Sequence, residues 1–395
     1  MGLLALVASF SYSLFFILQA FFGLNEGSFG LKIYSLIIFI SCVVIYGFSF
    51  FRRKLVFKEL FLILLLASIV IGFLMTKSIY SYVVDDFNAT VLSFGVRSIP
   101  AFLIGIYIAK SDKINDMSKW LQPFMLIFTI GIIKATINSW DGNNINIVFG
   151  GTNYQLLSYQ AAYTIGMNIF LIFNRNNIKP FKIFSNKFFL ILNVFLIPIQ
   201  LICLFIGGGR GAFVLLIVFA IYAFNKNIEL VKNKKRKIIK SFLIIISFSL
   251  CLSIIFNLPM LKGGVSRLTN FFFNIDSLGQ DDRTYLYIDA LNNFKTSPIW
   301  GHGIGSVFYE LRFYSHNIFT DLLVEGGILL FTLSLFILVI FTLKLKKLIY
   351  FNKSNELILI CFLCSFVMLL FSGHYLRDSG IWFSMGYVFI REYKK

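Results

Sequence analysis

Residues 259–315 read PMLKGGVSRLTNFFFNIDSLGQDDRTYLYIDALNNFKTSPIWGHGIGSVFYELRFYS, the one long polar interruption in a chain that is otherwise apolar run after apolar run. The stretch holds Arg267, Arg283, Arg312 and the turn-rich Trp300-Gly301-His302-Gly303-Ile304-Gly305. It ends at Ser315-His316-Asn317, where the next apolar run begins. A single large aqueous loop in a chain of this kind is where chemistry or recognition is expected, with the remaining helices as its scaffold.

Outside this stretch, composition decides the class. Of 395 residues, 58% are hydrophobic and only 14% charged, which excludes an ordinary soluble domain and predicts an all-α polytopic membrane protein. Backbone groups find no water in the bilayer core, so each spanning segment is expected to be a helix with its hydrogen bonds closed internally. Apolar runs predict about twelve transmembrane helices, near 2–22, 33–51, 56–75, 91–109, 119–140, 155–173, 188–206, 211–225, 241–258, 317–343, 356–372 and 380–391. The first run is long enough to span, and no small-residue cleavage pattern follows it. The chain thus divides into helices one to nine (1–258), the loop (259–316), and helices ten to twelve (317–395), as one integral membrane domain.

The formal net charge of +18 would suggest nucleic acid in a soluble protein. Here the basic residues gather in every second loop, from Arg52-Arg53-Lys54 through Lys232–Lys240 to Lys394-Lys395. That alternation predicts both termini on the cytoplasmic side and the long loop on the other, without a nucleic-acid partner. The five cysteines all lie in apolar runs, and Cys361-x-x-Cys364 has no second pair, so they read as small buried residues.

Several polar residues stand out. Arg97 and Lys134 fall within expected spans, where each either snorkels or pairs, or lines an aqueous cavity. Gly207-Gly208-Gly209-Arg210-Gly211 allows a tight turn or a close backbone approach, with Arg210 at the mouth of the next helix. An arginine beside helix-terminal N–H groups suits a phosphate or pyrophosphate. Arg283 opens a predicted amphipathic helix with Tyr287, Ala290, Leu291 and Phe294 on one stripe. A cation there opposes the helix dipole, so Arg283 either pairs with Asp281 or Asp282 or holds an anion. Pro298 to Gly305 reads as turns that fold back toward the membrane.

Of three histidines, His316 is the best-placed general base, at the helix mouth beside Asn317. His302 and His374 are expected to matter less. On a helix running unbroken from His316, Asp321 and Glu325 point well away from it and would brace another helix, through an arginine. Asp85-Asp86 and Asp281-Asp282 are adjacent pairs, and no D-x-D, His/Cys cluster, P-loop or G-x-S-x-G is present, so neither metal nor cofactor is expected.

The arginine turn, Arg283, Pro298-Ile299-Trp300-Gly301-His302-Gly303, Ser315-His316-Asn317 and Glu325-Gly326-Gly327 occur in an order that resembles the O-antigen ligase/polymerase superfamily. The likeness covers about 207–327, and Gly150-Gly151-Thr152-Asn153-Tyr154 also looks like that family's turn. It departs at Gly209, where many relatives have serine. The resemblance implies a repeat-unit polymerase of the bacterial inner membrane. Such an enzyme is an inverting, metal-independent glycosyltransferase that moves a glycan from undecaprenyl pyrophosphate to an acceptor sugar hydroxyl at the periplasmic face. Carried over by position, His316 is the base and Arg210 and Arg283 hold the pyrophosphate; Arg97, Arg312, Asn317 and Tyr154 are expected to contact substrate. A chain-length regulator and a flippase are the expected partners. The alternatives are a ligase of the same family, a lipid-linked oligosaccharide flippase or other transporter, and a glycosyltransferase using polyprenyl monophosphate sugars. The last keeps acidic residues in its first outer loop, where this chain has only Glu26.

Overall fold

A computed structural model describes the chain except residues 25–28, 53–56, 81, 141–146, 149–151, 179, 230–237, 240, 242–252, 255, 274–281 and 393–395. The described residues are almost entirely helical. In order they form α1 (Gly2–Ser9), α2 (Ser11–Phe22), α3 (Phe29–Arg52), α4 (Phe57–Ile79), α5 (Asp85–Ser93), α6 (Ile99–Ser111), α7 (Ile114–Ser139) and α8 (Tyr154–Phe173). Next come α9 (Lys187–Gly207), α10 (Arg210–Glu229), α11 (Lys262–Phe273), α12 (Asp282–Thr296), α13 (Val307–Glu310), α14 (Ile318–Phe351), α15 (Glu356–Leu369) and α16 (Ser379–Ile390). The strands among the described residues are a two-residue antiparallel ladder, Ile147-Val148 on Thr152-Asn153.

Among the described residues, eight helices are long and apolar enough to cross a membrane, or nine if α1 and α2 make one broken span. The expected runs 155–173, 188–206 and 211–225 appear as α8, α9 and α10, nearly to the residue. The expected ninth span, 241–258, and the basic run Lys232–Lys240 lie mostly outside the described residues.

Contacts divide the chain into two compact units: Met1–Tyr12, Phe29–Met117 and Asp276–Lys395 in the first, Ser13–Ser28 and Ser118–Ile275 in the second. The segment expected as one loop is therefore split, with α11 in the second unit and α12 and α13 in the first. Its described residues carry α11 and α13 besides α12, where the sequence predicts an amphipathic helix.

In the first unit α6 and α16 cross backbone to backbone. A Cβ on Gly105 would lie 2.3 Å from the Phe383 carbonyl oxygen, and one on Gly386 would lie 2.3 Å from that of Phe102. Apolar side chains gain little by leaving lipid for protein, so close backbone packing of this kind is what joins spanning helices. Between α5 and α6 the chain makes a π-turn at Phe94–Ser98. Pro100 lacks an N–H and its ring crowds the carbonyl four residues back, and the wider turn relieves both. In the second unit, α7, α8 and α9 are tied by buried amides. Gln122 and Asn193 exchange bonds of 2.8 and 2.9 Å, and Asn168 donates to the Asn193 carbonyl at 2.8 Å.

Candidate functional site

His316 is held by a short helical segment and its two ends. α14 does not run on from His316. The residue has φ +63°, in the left-handed region, and Asn317 is the N-cap, its side chain accepting from Phe319 N at 2.9 Å. A non-glycine residue there costs about 1–3 kcal/mol and persists only where its surroundings hold it. Asp321, fully buried, supplies the hold: its Oδ1 accepts from Ser315 N at 2.9 Å and Ser315 Oγ at 2.7 Å. The imidazole then lies edge-on to Tyr314, ring centroids 4.6 Å apart, and 5.3 Å from Phe313.

Eleven residues after His316, α14 is broken. Gly327 has φ 60° and ψ −159°, a conformation that is essentially glycine's alone. The backbone groups freed by the break are met by the turn segment Pro298–Gly305. His302 N donates to Val324 O at 2.9 Å and Gly303 N to Glu325 O at 2.8 Å. In the other direction, Ile328 N donates to Pro298 O at 2.9 Å and Leu329 N to Ile299 O at 3.4 Å. The fit needs glycine on both sides: a Cβ on Gly301 would sit 2.4 Å from Gly326 N, and one on Gly327 2.4 Å from Ile299 O. The fold-back expected from the sequence is thus a backbone joint.

Glu325, just before the break, bonds to a histidine and a tyrosine among the described residues, where an arginine was expected. Its Oε1 lies 3.1 Å from His374 Nε2 and its Oε2 accepts from Tyr375 Oη at 2.5 Å. Both partners lie in the 370–378 turn before α16, and the His374 and Glu325 side chains are wholly buried. Burial, and secondarily the Glu325 charge, pushes the Tyr375 hydroxyl well above its ordinary pKa, so it stays a donor at neutral pH. The same turn reaches the start of the segment, where Asn317 Nδ2 donates to Leu370 O at 3.4 Å, and His374 packs on Phe308 at 5.0 Å. Arg377 ties the turn to α5 through Thr90 Oγ1 at 2.7 Å and Asp86 Oδ1 at 3.1 Å.

Sequence reasoning missed His374, Tyr375 and Arg377. The available signal was a His-Tyr-x-Arg-Asp cluster at the mouth of an apolar run, where ionisable residues usually have partners.

The remaining expected residues of this unit take separate places. Arg283 is the second residue of α12 and half-buried. Arg312 is exposed, with φ +59°. Arg97 sits in the π-turn, donating to Ser93 Oγ at 3.0 Å with its guanidinium 5.3 Å from the Tyr12 ring.

The second unit holds Arg210 and Tyr154. Gly208 ends α9 with φ +65°, and Arg210 is the first residue of α10. The glycines are required by α11 and α8. A Cβ on Gly208 would lie 2.7 Å from Gly264 Cα, and one on Gly264 1.7 Å from Phe205 O. Gly209 N donates to Ser158 Oγ at 3.0 Å. Arg267 of α11 stacks over Tyr154 at 4.4 Å, which places a second arginine beside the turn that presents Arg210. Gly150 and Gly151 lie outside the described residues, whereas Thr152 and Asn153 form the short ladder leading into Tyr154.

Among the described residues no group of three or more His, Cys, Asp or Glu side chains could hold a metal ion. Residues 194–335 match a family model described as O-antigen ligase, a segment that includes Arg210, Arg283 and His316. No curated protein and no solved structure matches the chain.

Proposed function

We propose, from the match of residues 194–335 to the O-antigen ligase family model, that the chain is a surface-polysaccharide repeat-unit polymerase of the O-antigen ligase/polymerase superfamily. In this reading it transfers a glycan from undecaprenyl pyrophosphate to an acceptor sugar hydroxyl, with inversion, at the periplasmic face of the inner membrane. Twelve spans with both termini cytoplasmic complete the proposal.

The observation that carries it is His316, fixed in a left-handed turn by Asp321 and Asn317 inside the matched segment. A base must be presented in one orientation to take a proton from an incoming hydroxyl. His316 takes that proton as the hydroxyl oxygen attacks the anomeric carbon. The bond to the pyrophosphate oxygen breaks, and Arg210 and Arg283 hold the departing charge through bidentate hydrogen bonds. Arg312, Tyr154 and Arg97 contact substrate in this proposal. Asn317, already engaged as an N-cap, keeps His316 in place. Because side chains supply the positive charge, activity should survive excess EDTA.

The test is glycan chain length on a gel, in a strain lacking the native gene, with protein level checked by immunoblot. Replacing Arg210 or Arg283 with alanine removes a charge-stabilising donor, on the order of 3 kcal/mol or about a hundredfold in rate. Lysine should rescue only in part, since it lacks the fork. His316→Ala should cost roughly a hundredfold or more. Normal long chains from His316→Ala overturn the base assignment, and the same result from both arginine variants favours a transporter.

The family description favours a second reading, a ligase, whose acceptor is a lipid A-core rather than another lipid-linked repeat. Purified protein given only the lipid-linked repeat separates the two: chain growth identifies a polymerase, whereas a requirement for lipid A-core identifies a ligase.

A further inference from the structure

The joint at Gly327 fixes a depth. Lys347 follows Gly327 by 20 residues, which at 1.5 Å per residue is about 30 Å, the thickness of a bilayer's hydrocarbon core. Lys344, Lys346 and Lys347 are the first charges on α14 after Gly327 and mark one boundary of that core, Lys344 being met there by the Phe389 carbonyl at 2.8 Å. The break in α14 therefore lies at the opposite boundary. The Pro298–Gly305 segment is pinned to that level by four backbone hydrogen bonds.

What this level exposes is apolar. Trp300 is 76% and Ile299 54% exposed, although both belong to a segment outside the spans. They adjoin Ile328 and Leu329, exposed residues on the long apolar part of α14, through the bonds at Pro298 and Ile299. α12 packs on α14 and continues the surface, with Tyr285, Ile288 and Leu291 exposed among the polar Asp289, Asn292 and Lys295. A row of tyrosine, isoleucine, leucine and tryptophan interleaved with polar groups, continuous with a spanning helix, has the composition of an interfacial element.

We infer that α12 and the Ile299-Trp300 turn lie in the headgroup–acyl boundary of the bilayer, on the side opposite Lys344–Lys347, and anchor this segment to the membrane surface. The occupant of the exposed apolar face is lipid. Arg283, two residues before Tyr285, is then held at the depth of lipid phosphates. On the glycan-transfer reading this is where the pyrophosphate of a lipid-linked donor lies, but the anchoring is read out without any activity.

The full chain is reconstituted in phosphatidylcholine vesicles, and Trp300 emission is taken as the difference between the parent and Trp300→Phe. Trp300 should be blue-shifted relative to tryptophan in buffer and shielded from acrylamide. It should be quenched several-fold more by lipids brominated near the headgroup than by lipids brominated near the bilayer centre. Ile288→Trp in the Trp300→Phe background should show the same depth profile and guards against a local effect at one residue. Strong acrylamide quenching without bromine quenching at both sites would place the segment in water and overturn the inference. Preferential quenching by the deep bromines would equally overturn it.

Discussion

Two glycine runs, Gly207–Gly211 and Gly301–Gly305, look alike in sequence and work differently in the molecule. In the first, glycines let neighbouring helices come close: Gly264 of α11 and Ser158 of α8 occupy the space that side chains would fill. In the second, glycines let a turn exchange backbone hydrogen bonds with a broken helix. Each lies beside a residue of the proposed site, Arg210 at the head of α10 and His316 before the short segment that precedes the break. A glycine cluster beside an arginine thus speaks first of backbone packing, and only through it of chemistry.

The difference can be sharpened by substitution. The joint should be the more sensitive of the two, because buried side-chain hydrogen bonds to Glu325 back it as well as shape. His374→Ala leaves the buried Glu325 Oε1 without its partner, while Tyr375 still donates to Oε2, and should destabilise by about 1–3 kcal/mol, seen as a lowered thermal midpoint in detergent. His374→Gln, which can still donate to Glu325, should recover part of the loss. A midpoint unchanged by His374→Ala would show that the pair does not lock the joint.

Gly327→Ala comes next. Backbone strain alone is worth about 1–3 kcal/mol, and the new methyl would meet the Ile299 carbonyl. Amide exchange should quicken at Ile328 and Leu329, and unchanged protection there would argue against the joint.

At the other run the effects are smaller and coupled. Gly209→Ser places a Cβ 2.8 Å from Ser158 Cβ, an overpacking of roughly 1–3 kcal/mol. Here the Ser158 hydroxyl already serves the Gly209 N–H. Adding Ser158→Gly should therefore offset much of the loss, whereas strictly additive midpoints would mean the two positions do not share one space. Ser158→Ala alone should cost about 1 kcal/mol, one hydrogen bond.

Eight of the twelve expected spans were legible because length and apolarity settle them. α9, expected over 188–206, runs Lys187–Gly207. The breaks at Phe10 and Gly327 and the π-turn at Phe94–Ser98 were hidden, since an average over twenty apolar residues does not register one displaced hydrogen bond. His316 was legible from its place at a helix mouth. The part of Asp321 was not: angles reckoned on an ideal helix from His316 carry it far round, but Ser315 and His316 stand outside the helix, where the left-handed residue turns Ser315 back onto the carboxylate. Glu325 could not be matched to His374, 49 residues further on, because nothing local in the sequence links them.

The joint also bears on how the chain reaches its folded form. The residues it connects, 298–303 and 324–329, are only 22 to 30 positions apart, whereas Gly208 and Gly264 are separated by 56. Closing a shorter loop sacrifices less chain entropy, and contacts near in sequence tend to form sooner. The turn can therefore seat itself while α14 is still settling, so that the helix is assembled around its interruption and His316 is oriented before the more distant partners arrive.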